Sequence, residues 1–132
     1  MAKEKPGPLE LAGLRFQISI LEEALRENPE DTETLRFLAH AYVGVGRLED
    51  GLATDRRLVA LLPADPRVRY NLACRCALTD RDDEALQILE EACALGFDDL
   101  ALLRRDGDLD GVRSDPRYEE IERRLAQRLG GG

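Results

Sequence analysis

Three groups of side chains in this sequence are capable of chemistry: a single histidine, His40; three cysteines, Cys74, Cys76 and Cys93; and the acidic run Asp106-x-Asp108-x-Asp110-Gly111. The acidic run opens like a calcium-binding loop. Such a loop needs a bidentate glutamate six residues after its glycine, where this chain has Arg117, so a positive charge stands where the metal needs two oxygens. Arg113 replaces the usual apolar anchor and Pro116 interrupts the exit helix, which leaves an acidic, turn-forming loop as the reading. Histidine is the side chain most often used as a general base, but no serine or cysteine stands at a motif spacing from His40. Cys74 can approach it, since both fall one turn after equivalent residues of neighbouring helices, yet the sequence has no motif for an orienting carboxylate or an oxyanion site.

The cysteines argue the same way. Three cannot all pair within one chain. Cys74 and Cys76 are two apart on one helix and point to roughly opposite faces. Cys76 and Cys93 fall about eight residues out of step on paired helices, roughly 12 Å at the helical rise, beyond disulfide reach. Two close ligand pairs for zinc are not formed either. The expectation is a non-enzymatic protein without cofactor or metal, whose Cys76 and Cys93 are free thiols packed as small apolar residues.

Residues that do no chemistry must then be read for what they position. The 132 residues carry a net charge of −8 with a pI near 4.7, which argues against nucleic acid as the main partner, because phosphate binding needs a concentrated basic surface. No apolar run has the length of a membrane span, and residues 1–8 are charged and contain Pro and Gly without a following signal-type apolar core. The expectation is a soluble, cytoplasmic protein that does not contact membranes.

The chain repeats itself. Leu38 and Leu72, Ala39 and Ala73, Gly51 and Ala85, and Pro63 and Phe97 are each 34 residues apart, a period that signals stacked supersecondary units. Each unit reads as two amphipathic helices joined by a tight turn, neither able to bury its apolar stripe alone. The small residues Ala39, Ala73, Gly51 and Ala85 fall where paired helices approach closely, and Leu38, Tyr42, Leu58, Leu72, Leu89 and Ala92 fill the seam. Asp31 and Asp65 are placed as helix caps, and Pro66 in a first turn strengthens the second.

These residues resemble the tetratricopeptide repeat, TPR, with its pattern W-x2-L-G-x2-Y…A-x3-F…P. Leu38 or Leu72 takes the leucine position, Ala39 or Ala73 the small residue, Tyr42 the aromatic, Gly51 or Ala85 the second-helix small residue, and Pro63 closes the first unit. The departures are Leu35 and Arg69 for the tryptophan, Cys76 for the second aromatic, and Asp55 where a large apolar residue is usual. The stretch from Asp106 to Tyr118 is similar to the D-P-D-L-x-x-L-R-x-D-P-R-F segment that closes many bacterial arrays, which implies a capping role for Leu109, Val112 and Tyr118. The resemblance implies an all-α, right-handed α-solenoid of antiparallel helix pairs. Its divisions would be a disordered leader 1–8, a half repeat 9–29, repeats 30–63 and 64–97, a capping unit 98–129, and a tail 130–132.

In that family the first helices of successive units line a concave groove. The implied groove residues are Arg36, Phe37, His40, Arg67, Tyr70, Asn71 and Cys74, a basic and partly aromatic set in an acidic protein, suited to an extended peptide with carboxylates or an acidic C-terminus. Some chaperone-binding members clamp a terminal carboxylate; Arg36, Asn71 and Arg105 match that clamp in part, while His40 and Ala101 depart from it. The function implied is a scaffold or adaptor for a protein segment. The alternative is a self-assembling module using Phe16 and Ile20, an i, i+4 pair lying off the main stripe of the first helix, which otherwise would pack on the next helix.

Overall fold

The computed structural model describes residues 5–130. It is all-helical, with 79% of residues in helix and, among the described residues, eight helices and no strand. The chain forms two compact units that meet in sequence between Pro63 and Ala64. Residues 1–4 of the expected leader and residues 131–132 of the expected tail lie outside the described residues.

The first unit holds α1 (Pro8–Glu27), α2 (Thr32–Gly44) and α3 (Leu48–Leu61). Pro8 opens α1, where its missing amide hydrogen is no loss. Asp31 starts α2 by accepting from the Glu33 amide at 3.2 Å and from the Thr34 hydroxyl at 3.0 Å. The helices then approach at glycines. A Cβ on Gly44 would lie 2.9 Å from Leu14 Cδ1, and one on Gly51 would lie 2.8 Å from Val43 Cγ2. Gly51 therefore does what its place in the repeat implied, letting α3 come against α2. Leu35, Leu38, Ala39 and Leu52 are buried in this unit. Polar ties finish it: the Tyr42 hydroxyl donates to Glu22 at 2.5 Å, and Arg57 donates to the Pro29 carbonyl at 2.6 Å.

The second unit holds α4 (Pro66–Leu78), α5 (Asp82–Ala94), α6 (Leu100–Arg105), a 3-10 helix (Gly107–Val112) and α7 (Pro116–Gly130). Asp65 caps α4 through the Arg67 and Val68 amides. The largest contact in this unit is between α4 and α5, and α7 packs on α5 and α6 with Tyr118, Ile121 and Leu125 buried. A loop was expected between α6 and α7; the segment is helical instead. Asp106 accepts from the Asp108 amide at 3.0 Å, and Leu109 and Val112 are buried, so capping and burial together wind it.

Two arginines hold this end in place. Arg113 donates to the carbonyls of Leu103 and Asp106 and to the Tyr118 hydroxyl. Arg128, from the last turn of α7, donates to the Cys93 and Phe97 carbonyls at 2.7 Å each, tying the end of α7 to the end of α5 and the chain just beyond it.

The sequence period recurs in local structure. The helices α2 and α4 are both 13 residues long, start 34 residues apart and follow a capping aspartate. The turns after them share hydrogen bonds: Gly46 to Val43 matches Asp80 to Ala77, and Arg47 to Tyr42 matches Arg81 to Cys76. No described helix is long and apolar enough to cross a membrane.

Candidate protein-binding face

On α2 the buried side chains Leu35, Leu38, Ala39, Ala41 and Tyr42 leave Arg36, Phe37 and His40 facing solvent. Phe37 is 53% exposed, unusual for a phenylalanine in the middle of a helix. Arg36 and His40 stand one turn apart, and His40 is also a turn on from Phe37, so all three share the exposed side of the helix. The geometry offers a cation, an aromatic surface and an imidazole on one exposed face.

Thirty-four residues later the corresponding positions of α4 are Tyr70, Asn71 and Cys74, and their surroundings differ. Tyr70 is 1% exposed and Cys74 is 2% exposed, so neither lines an open groove as the sequence implied. The chain's own segment after α6 covers them. The Tyr70 hydroxyl donates to Asp106 at 2.9 Å, and the Cys74 thiol points to the same carboxylate oxygen at 3.7 Å. One residue on, Arg75 pairs with Asp108 at 3.3 Å, both side chains buried. The Tyr70 ring stacks on Phe97, centroids 4.2 Å apart and planes 4° from parallel. Arg67 stays exposed, with its guanidinium over the Phe97 ring and 3.5 Å from Asp99. Asn71 is half-buried.

Burial first, and then the neighbouring carboxylates, push the Cys74 thiol well above its ordinary range. It is held as a protonated donor and is a poor nucleophile at neutral pH. Burial and the adjoining Cys74 and Asp106 likewise push the Tyr70 hydroxyl up. A thiol sulfur of Cys74 and carboxylate oxygens of Asp106 and Asp108 lie within 4.8 Å of one another. Arg75 already pairs with Asp108 and the Tyr70 hydroxyl donates to Asp106, so a cation entering the set would have to displace a buried guanidinium and strip a reluctant thiol.

The acidic run that suggested calcium thus sends its carboxylates apart: Asp106 to Tyr70 and its own helix start, Asp108 to Arg75, and Asp110 to Arg113 at 3.0 Å. The three cysteines are free, Cys74 and Cys76 buried and Cys93 half-buried. A cleft of about 310 Å³ between α5 and α7 includes Cys93, Leu125 and Arg128, but Arg128 already spends its donors on main-chain carbonyls.

The structure therefore gathers the sequence-derived residues into separate places. Arg36, Phe37 and His40 share the open face of α2; Tyr70 and Cys74 share the filled face of α4. On α1, Phe16 is 69% and Ile20 53% exposed, so this pair does not pack on the next helix. Sequence reasoning missed Asp106 and Asp108 as partners of Tyr70, Cys74 and Arg75 on α4. The only signal available was an arginine amid the apolar residues of α4. No family model matches the chain, and neither the curated proteins nor the solved structures give a match.

Proposed function

We propose that the chain is a non-enzymatic adaptor of the tetratricopeptide-repeat type, an α-solenoid of antiparallel helix pairs that holds an acidic segment of a partner protein on the exposed face of α2. One observation carries the reading. At the Tyr70 and Cys74 positions of α4 the chain holds an aspartate of its own, Asp106; the same repeat positions of α2 carry Arg36 and His40, and these are open to solvent. A guanidinium and an imidazole are stronger carboxylate partners than a phenol and a thiol. Phe37 beside them supplies the apolar contact that gives such a site affinity, because aromatic and arginine anchors dominate interface energies. The free cysteines suit a reducing compartment such as the cytoplasm.

A random peptide display library panned on the immobilised chain tests this. Peptides rich in Asp or Glu with an apolar neighbour should be enriched, and synthetic versions should bind the Arg36→Glu/Phe37→Ala variant at least about tenfold more weakly while its melting temperature holds. Enrichment of basic or uncharged peptides, or binding indifferent to both substitutions, would refute the proposal. Comparing free and amidated C-termini on the enriched peptides separates capture of a terminal carboxylate from capture of side chains.

A further inference from the structure

The outward face of α1 is self-complementary, and we infer that it pairs two copies of this chain through antiparallel α1 helices. The inference stands apart from the α2 face. Leu9, Gly13, Phe16, Ile20 and Ala24 follow one another at intervals of four, three, four and four residues, so they form one stripe. All five are exposed, on the side of α1 away from buried Ile18 and Leu25.

The order of sizes along the stripe is large, small, large, large, small. Laid antiparallel on itself about a two-fold axis beside Phe16, it sets Leu9 against Ala24 of the other copy and Ile20 against Gly13, while Phe16 meets its own counterpart. Each large side chain outside the centre meets a small one, which is what close helix packing needs. Gly13 supplies an independent reason. A glycine inside a helix costs about 1 kcal/mol relative to alanine, yet nothing lies within 4 Å of where its Cβ would stand. No contact among the described residues calls for it, whereas a neighbouring helix at that point does.

Charge agrees with the same register. Lys5 stands three residues before the start of α1 and Glu27 is its last residue, both exposed. Antiparallel pairing sets each Lys5 near the other copy's Glu27, and also aligns the opposed helix dipoles favourably. A parallel arrangement would place like charges together at both ends. Glu23, the one acid on the edge of the stripe, is already paired with Arg26.

Sedimentation equilibrium of the full chain up to millimolar concentration is the test, with circular dichroism to verify the helices. The parent should form a dimer. Phe16→Glu should raise the dissociation constant at least about tenfold. Gly13→Leu should do the same although it favours the helix, because it fills the hollow that Ile20 needs. Lys5→Glu should weaken the dimer, and Lys5→Glu/Glu27→Lys should restore it. A chain that stays monomeric throughout overturns the inference, as does a dimer indifferent to Phe16→Glu. Tighter association by Gly13→Leu, or a double charge reversal that restores nothing, overturns the antiparallel register on which it rests.

Discussion

Asp80 holds a φ of 60° at the repeat position where Gly46 holds 84°, so the chain makes the same left-handed turn twice, once with the residue suited to it and once without. A side chain in that region is strained, less so for aspartate than for most residues. The side chain of Asp80 is exposed, and the turn's hydrogen bond runs from its amide to Ala77. Asp80→Gly relieves that strain against the entropy that glycine adds to the unfolded chain and should raise stability by at most about 1 kcal/mol, whereas Gly46→Ala should lower it by about 1–2 kcal/mol. Urea unfolding of the two variants reads both, and a destabilised Asp80→Gly would mean the aspartate side chain is needed.

Alkaline pH should loosen the first unit through Tyr42. Burial, followed by the hydrogen bond to Glu22, raises this phenol from 10.0 to about 12. The folded chain holds the proton more tightly than the unfolded one, so the contribution is complete below pH 10 and is lost as pH climbs from 10 to 12. Tyr42→Phe removes that dependence and also leaves Glu22 without its donor. Its stability should be lower at pH 7, by about 1–3 kcal/mol for a hydrogen bond to a charged group, and its decline between pH 10 and 12 should be shallower than the parent's. Thermal melts at stepped pH decide it; parallel declines in the two proteins would remove Tyr42 from the account.

The buried pair Arg75–Asp108 holds the 3-10 helix against α4. Removing one member strands a charge away from water, so Arg75→Ala and Asp108→Ala should each cost about 3–5 kcal/mol. The double substitution Arg75→Met/Asp108→Leu should cost much less than the two losses combined, since no charge is left unpaired. Guanidinium unfolding of the four proteins closes the cycle. Additive losses would show that the two side chains act separately.

The helices were legible because the signals for them are local. Asp31 and Asp65 before α2 and α4, Pro66 in a first turn, and apolar residues spaced three and four apart define starts and faces without any knowledge of partners. The 3-10 helix was not legible, since Asp106, its two aspartates and its two glycines read as a turn; what winds it is the Asp106 cap together with burial of Leu109 and Val112 against residues far off in sequence. Arg113 was hidden for a related reason, because two of its four partners, Leu103 and Asp106, are bound through main-chain carbonyls, which no residue pattern reveals. On α2 the exposed set Arg36, Phe37 and His40 could be read from the helical wheel alone. On α4 the same wheel position failed at Tyr70 and Cys74, whose cover arrives from beyond residue 105. Exposure is a property of the finished fold, and repeat position specifies it only when neighbouring units are alike.

Six consecutive residues of α4, from Leu72 to Ala77, are buried, so all sides of that helix over more than a turn are committed to packing. Almost any change there is felt as a loss of stability before it can alter recognition. The exposed positions of α2 carry no such burden. Substitutions should therefore accumulate sooner at Arg36, Phe37 and His40 than along α4, and two helices of the same length, cap and following turn would come to change at different speeds.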